Sequence, residues 1–306
     1  MSMFKIQLSV TSFILAVLCV ACSKEEAGHG HSGSDETNSE PYIPVEVISN
    51  AHTVTYLEPR TYIIEEPQSS QGNVCYLILG EERAVMFDTG AGENTTVDGT
   101  RMRYVVDQIT DLPVTLFMSH FHFDHNQNIA EFDHVAFIEL EYLVEGTSSE
   151  GVYEFSDTEL VFGSYPASVQ VNEWWPLDTD IDLGGRSIRV VNIPGHTDES
   201  AMIVDTQNKL MFMGDYIYDG PLYVFGQQNL IPYETTVDML IANYDDSFSV
   251  YGAHGSPQVP HENLQKLKDI LVCIQDGECI PSMTNIWGYV VQRYNLNGME
   301  VWVFLE

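Results

Sequence analysis

Residues 114–125 constrain this chain more than any other stretch. An apolar, strand-like run from Val114 to Met118 ends in Ser119-His120-Phe121-His122-Phe123-Asp124-His125. Three imidazoles and a carboxylate this close together are the donor types that Zn²⁺ takes in catalytic sites. On an extended or looped backbone, His120 and His122 point to the same side and can chelate one ion. Asp124 and His125 then fall on the turn beyond, placed for a neighbouring ion. A surface loop that merely contains histidine accounts for one such pair. Four donors directly after an apolar strand argue against it. Three later positions add to the set, each just past a strand-like run: His196 in Ile193-Pro194-Gly195-His196-Thr197, Asp215 in Met213-Gly214-Asp215, and His254 in Tyr251-Gly252-Ala253-His254-Gly255.

The rest of the chain reads as one α/β domain spanning 44–306. Strand-like runs fall at 53–58, 62–66, 73–79 and 84–87, then a helical pattern at 101–110 precedes the strand that carries the motif. Further strands are expected at 169–174, 187–193, 201–204 and 209–213, and helices at 235–244 and 262–274. Gly288–Tyr294, Asn297-Gly298 and Val301–Leu305 read as a closing hairpin. Strands followed by mixed strands and helices suit two sheets inside helical layers.

His120-x-His122-x-Asp124-His125, followed by His196, Asp215 and His254, resembles the metallo-β-lactamase superfamily in order, spacing and flanks. Phe87-Asp88-Thr89-Gly90 is similar to that family's early Asp-Thr-Gly turn. The resemblance implies an αββα four-layer sandwich with two Zn²⁺ ions at one edge of the sheets. His120, His122 and His196 would hold the first ion, Asp124, His125 and His254 the second, and Asp215 both. It implies a hydrolase in which a metal-bridging hydroxide attacks a carbonyl, with Asp124 and Asp215 as the catalytic carboxylates. The resulting oxyanion needs a metal or a nearby donor. Tyr218, three residues after Asp215, matches a tyrosine of acyl-homoserine lactonases and is the candidate donor. A tyrosine packing under the metal loop is the equal alternative, and Tyr216 and Tyr223 are weaker rivals. Asp88 is expected to orient a ligand histidine. Iron or manganese suits the same ligands, and iron in some relatives supports oxidoreductase chemistry, the main alternative to hydrolysis.

Fold alone does not set the substrate. Many β-lactamases use a cysteine where this chain has Asp215, so a dedicated β-lactamase is disfavoured. The full ligand set is similar instead to glyoxalase-II-like thioesterases, lactonases and other acyl hydrolases, and the loop from Gly214 to Tyr223 resembles that of acyl thioesterases. After His254 the chain offers only Lys266, Lys268 and Arg293, which weakens a glutathione thioesterase. Twelve Lys and Arg against 45 Asp and Glu give a net charge of −33. That surface repels nucleic acid and anionic membranes and excludes a nuclease of the same fold; adaptation to a salty medium explains it most simply. The expected partner is therefore a small-molecule acyl substrate. Phe225, Leu230, Ile231 and Tyr233 could wall an acyl pocket, with core the preferred reading. Trp174 or Trp175 could cover the site, although one of an adjacent pair commonly packs inward.

The N-terminus reads as an export signal over 1–21. Lys5 precedes an uncharged, mostly apolar stretch from Leu8 to Leu18, too short for a confident membrane span. Cys19-Val20-Ala21-Cys22 resembles a lipoprotein cleavage site, with Cys22 as the lipid-anchored first residue and Cys19 where leucine is usual. Ordinary cleavage with secretion is the alternative. Residues 22–43 form a polar tether. In an oxidising compartment, Cys273 and Cys279 could form a small loop disulfide, while Cys75 reads as a buried thiol.

Overall fold

The computed structural model describes residues 43–93, 101–162 and 165–305. The expected signal, Cys22 and the tether up to residue 42 lie outside them. The strands Val74–Leu79, Ala84–Phe87, Val114–Phe117 and Val135–Ile138 are buried at every residue. A strand apolar on both sides needs cover on both faces, and this sheet has it. It holds eight strands: an antiparallel run Ile43–Val45, Thr53–Leu57, Thr61–Glu65, Val74–Leu79 and Ala84–Phe87, then Val114–Phe117, Val135–Ile138 and Glu173–Trp175 added in parallel. Helix Met102–Ile109 buries Met102, Val105 and Val106.

A second sheet of six strands runs Asp180–Asp182, Ser187–Asn192, Ala201–Asp205, Leu210–Phe212, Ser249–Tyr251 and Gln258–Val259. Period-two alternation divides its side chains between two cores. Ile188, Val190, Ala201, Ile203, Leu210 and Phe212 join the first sheet's core. Val191, Met202, Val204 and Met211 instead join helices Leu230–Asn243 and Asn263–Gln275. Helix, sheet, sheet, helix is the four-layer sandwich the sequence resemblance implies.

The expected C-terminal hairpin forms between Tyr289–Leu296 and Met299–Leu305 around Asn297 and Gly298, both at positive φ. It belongs to a four-stranded sheet that also contains Ser282–Ile286 and, in parallel with Met299–Leu305, Leu222–Phe225. Two expectations need correction. The strand read over 169–174 is broken into Ser168–Gln170 and Glu173–Trp175, which lie in different sheets. The helix read from residue 235 begins at Leu230, with Pro232 in its first turn, where the missing N–H costs nothing. Trp175 is fully buried and stacks on Phe117 at 4.9 Å, while Trp174 packs on Phe137. Cys75 is a buried free thiol, and Cys273 and Cys279 are disulfide-bonded.

Candidate metal centre

Strand direction gathers the donors at one edge. Ser187–Asn192 is antiparallel to Ala201–Asp205, which is antiparallel to Leu210–Phe212, which is parallel to Ser249–Tyr251. The first, third and fourth of these therefore point the same way, and their C-terminal ends deliver His196, Asp215 and His254. Strand Val114–Phe117 of the other sheet delivers residues 119–125. Backbone hydrogen bonds join the two sheets here: Ala201 N to Ser119 O at 2.7 Å and Val74 N to Ala253 O at 2.7 Å. Two glycines permit the close approach. A Cβ on Gly195 would sit 2.5 Å from the Tyr233 ring, and one on Gly214 would sit 2.5 Å from Ser119 Cβ; both residues have positive φ.

The seven expected donors converge. Ligand atoms of His120, His122 and His196 lie within 4.8 Å of one another, as do those of His120, His125 and Asp215, and those of Asp124, His125 and His254. Asp215 faces both sides of the cluster. Its Oδ1 is 3.4 Å from His125 Nε2 and 3.1 Å from His254 Nε2, while its Oδ2 is 3.6 Å from His196 Nε2.

Four of the five imidazoles are aimed by their other nitrogen. His125 Nδ1 lies 2.9 Å from Asp88 Oδ2, His196 Nδ1 2.9 Å from Tyr223 O and His254 Nδ1 3.1 Å from Gln71 O. The Ser119 hydroxyl donates to Asp88 Oδ2 at 2.7 Å, so its oxygen accepts from His120 Nδ1 at 2.9 Å. Those four rings thus carry a proton on Nδ1 and turn Nε2 toward the cluster. His122 is the exception, turning Nδ1 toward His196 Nε2 at 2.9 Å. Buried His120 Nε2, His125 Nε2 and Asp215 Oδ1 have no hydrogen-bond partner. Polar atoms buried this way are costly unless something binds them, and imidazole nitrogens with carboxylate oxygens are donors for a divalent cation. The residues fit a metal.

Electrostatics divides the cluster. Burial, reinforced by neighbouring imidazoles, holds His120 and His122 well below the ordinary histidine range. Burial also disfavours charge on His125 and His254, but the carboxylates of Asp124 and Asp215 outweigh it and raise both.

Several supporting residues escaped the sequence reading. Asn126 donates to His122 O at 3.0 Å, closing the motif loop, and Asn128 Nδ2 donates to Thr89 O at 2.6 Å. Ser119 relays Asp88 to His120; its place between strand and motif was the only hint. Phe225, read preferentially as core, instead meets His122 and His196 at 5.1 and 5.5 Å between ring centroids. Tyr218 is buried with its ring 5.0 Å from that of His254, and its hydroxyl donates to Pro221 O. Among the described residues His52, His134 and His261 belong to no such cluster.

The chain belongs to the metallo-beta-lactamase superfamily, which it matches over residues 71–274. Among characterised proteins it is 33% identical over 164 residues to the acyl-coenzyme A thioesterase MBLAC2 of Bos taurus, covering 48% of this chain and 59% of that protein. The Homo sapiens protein of that name is 32% identical over the same shares. The chain thus spans less than two thirds of the relatives it matches. Among solved structures, a metallo-beta-lactamase from Pontibacter korlensis aligns with a TM-score of 0.55 and 19% identity, over 72% of this chain and 99% of that one. VMB-1 aligns at 0.51 and 16%, over 75% and 100%. At these identities the structural likeness speaks to fold alone.

Proposed function

We propose that this chain is a dinuclear metal-dependent hydrolase of acyl thioester, ester or lactone bonds, with zinc as the working metal. The two-faced placement of Asp215 between the imidazole groups carries this reading. His120, His122 and His196 would hold one ion, Asp124, His125 and His254 the other, and Asp215 both. Bound there, the metals supply Lewis acidity toward a carbonyl oxygen and lower the pKa of water to near neutrality. The chain's own part is to hold the donors rigid, through Asp88, Ser119, Gln71 and Tyr223, and to wall the site with Phe225. We assign Tyr218 to positioning, because its hydroxyl is engaged by Pro221 O and its ring seats His254. The kinship with MBLAC2 acyl-coenzyme A thioesterases favours thioesters over lactones among these bonds. A hydrolysis screen of thioesters, esters and acyl lactones with zinc-loaded protein tests the proposal. Turnover that follows zinc content and disappears in Asp215→Asn is expected. Absence of all acyl hydrolysis in fully loaded protein would contradict it. The Cys273–Cys279 disulfide supports an oxidising compartment, in keeping with export and a lipid anchor on Cys22. Metabolic labelling with palmitate should tag the wild type and not Cys22→Ala.

A further inference from the structure

A cavity of about 690 Å³ opens beside His122 and His196, and its walls differ in chemistry. One part is aromatic. Trp287, Tyr289 and Phe304 come from the C-terminal sheet and continue Phe225 outward from the imidazoles. Phe304 stacks 5.0 Å from Phe225 and 5.7 Å from Trp287. Trp287 and Tyr289 line the cavity and remain 51% and 54% exposed, leaving part of each ring within reach of a ligand. The other part is acidic, with Asp157 and Glu159 from helix Asp157–Leu160 and Asp198 and Glu199 from the turn after His196. Phe162 stands edge-on to Trp287 at 4.8 Å.

No Lys or Arg is among the described residues lining this cavity. Basic side chains elsewhere in the described chain are engaged: Arg293 lies over the Trp302 ring at 4.2 Å and pairs with Glu300 at 3.6 Å, and Arg83, Arg186 and Arg189 pair with Glu173, Asp205 and Asp180. Glu199 is buried without a cation. It accepts from Phe121 N at 3.2 Å, and burial pushes its carboxyl up to about 7.

We propose that this cavity selects acyl substrates whose leaving group is positively charged and rejects esters of coenzyme A. The inference rests on the acyl-hydrolase reading above. Aromatic faces attract a cation through their quadrupoles, most strongly where it is partly desolvated, and Asp157, Glu159 and Asp198, joined by Glu199 once it ionises, add to the same potential. The phosphates of coenzyme A would enter that potential with the wrong sign and with no Arg fork or Lys to meet them. The exposed rim at Asp157 and Asp198 suits a charged group that keeps part of its hydration better than it suits a hydrocarbon chain.

One acyl group on three leaving groups tests this on the zinc-loaded protein: butyrylthiocholine, S-butyryl-N-acetylcysteamine and butyryl-coenzyme A. We expect kcat/KM to fall in that order, by about tenfold at each step. Salt near 1 M, where the Debye length is about 3 Å, should remove the contribution of the overall negative charge and leave the order intact. Glu199→Gln with Asp198→Asn should lower the thiocholine-to-cysteamine ratio at least about threefold. Any other order, or equal rates on all three, overturns the inference while leaving an acyl hydrolase in place. If none of the three thioesters is hydrolysed while other esters or lactones are, the preference for thioesters fails instead, and if no acyl bond is hydrolysed the hydrolase reading fails. Binding to metal-free protein then decides the inference by tryptophan fluorescence, with Trp287→Phe as control. Choline should bind more tightly than coenzyme A, and the reverse overturns the proposal.

Discussion

Among the described residues, the buried polar clusters around Arg186 and around Asp215 are completed in different ways. Arg186 and Asp205 tie the sheets together far from the donor loops. Arg186 Nε meets Asp205 Oδ2 at 2.7 Å, its Nη1 donates to Pro59 O at 2.8 Å, and its Nη2 donates to Thr61 Oγ1 at 3.0 Å. Asn208 supplies the remaining donors to Asp205, at 2.9 Å from its N and 2.7 Å from its Nδ2. Around Asp215, by contrast, the outward-facing nitrogens are satisfied while His120 Nε2, His125 Nε2 and Asp215 Oδ1 converge without hydrogen-bond partners. A buried ionic group whose bonds close on themselves holds structure. One whose bonds close everywhere except toward a shared centre is built for something that arrives from outside.

Substitutions at the two clusters should therefore act on different properties. The largest effect is expected from Asp215→Asn, which keeps the shape and removes the charge facing both imidazole groups. Acyl hydrolysis should fall about a thousandfold or more, since Lewis-acid stabilisation is worth several kcal/mol. Its melting temperature without metal should change little, measurable by calorimetry in chelator. Arg186→Met should do the reverse. It strands Asp205 as an unpaired buried carboxylate and should cost about 3–5 kcal/mol of stability in urea unfolding, while surviving folded protein keeps its metal content.

Asp88→Asn sharpens the comparison from the supporting shell. Asp88 Oδ2 holds both His125 Nδ1 and the Ser119 hydroxyl. Metal affinity, read by competition with a chromophoric chelator, should drop about 10–100-fold. The smallest effect concerns Glu199, whose carboxyl is neutral below and ionised above a value of about 7. The preference for a cationic over a neutral leaving group should therefore rise a few-fold between about pH 6 and about pH 8. Burial holds the neighbouring phenols of Tyr142 and Tyr153 far above that window, so Glu199→Gln should flatten the rise.

The donors were legible in the sequence because each follows an apolar run, and strand direction then brings such ends to one edge. The apolar runs at 187–193 and 201–204 likewise marked strands. Other features carried no local signal. Trp287 reaches the cavity through a C-terminal sheet whose parallel partner, Leu222–Phe225, is more than seventy residues away in the chain. The break between Ser168–Gln170 and Glu173–Trp175 was hidden because both pieces are equally strand-like in composition. Asp205 and Arg186 offered nothing to distinguish them from surface charges until tertiary structure buried them.

If Asp215 joins two metal sites, the number of ions bound per chain shows it most directly. Elemental analysis of purified protein saturated with zinc and freed of excess should give about two ions per chain, with loss of at least one in Asp215→Asn. A single ion per chain, or a content unchanged by Asp215→Asn, would contradict the account.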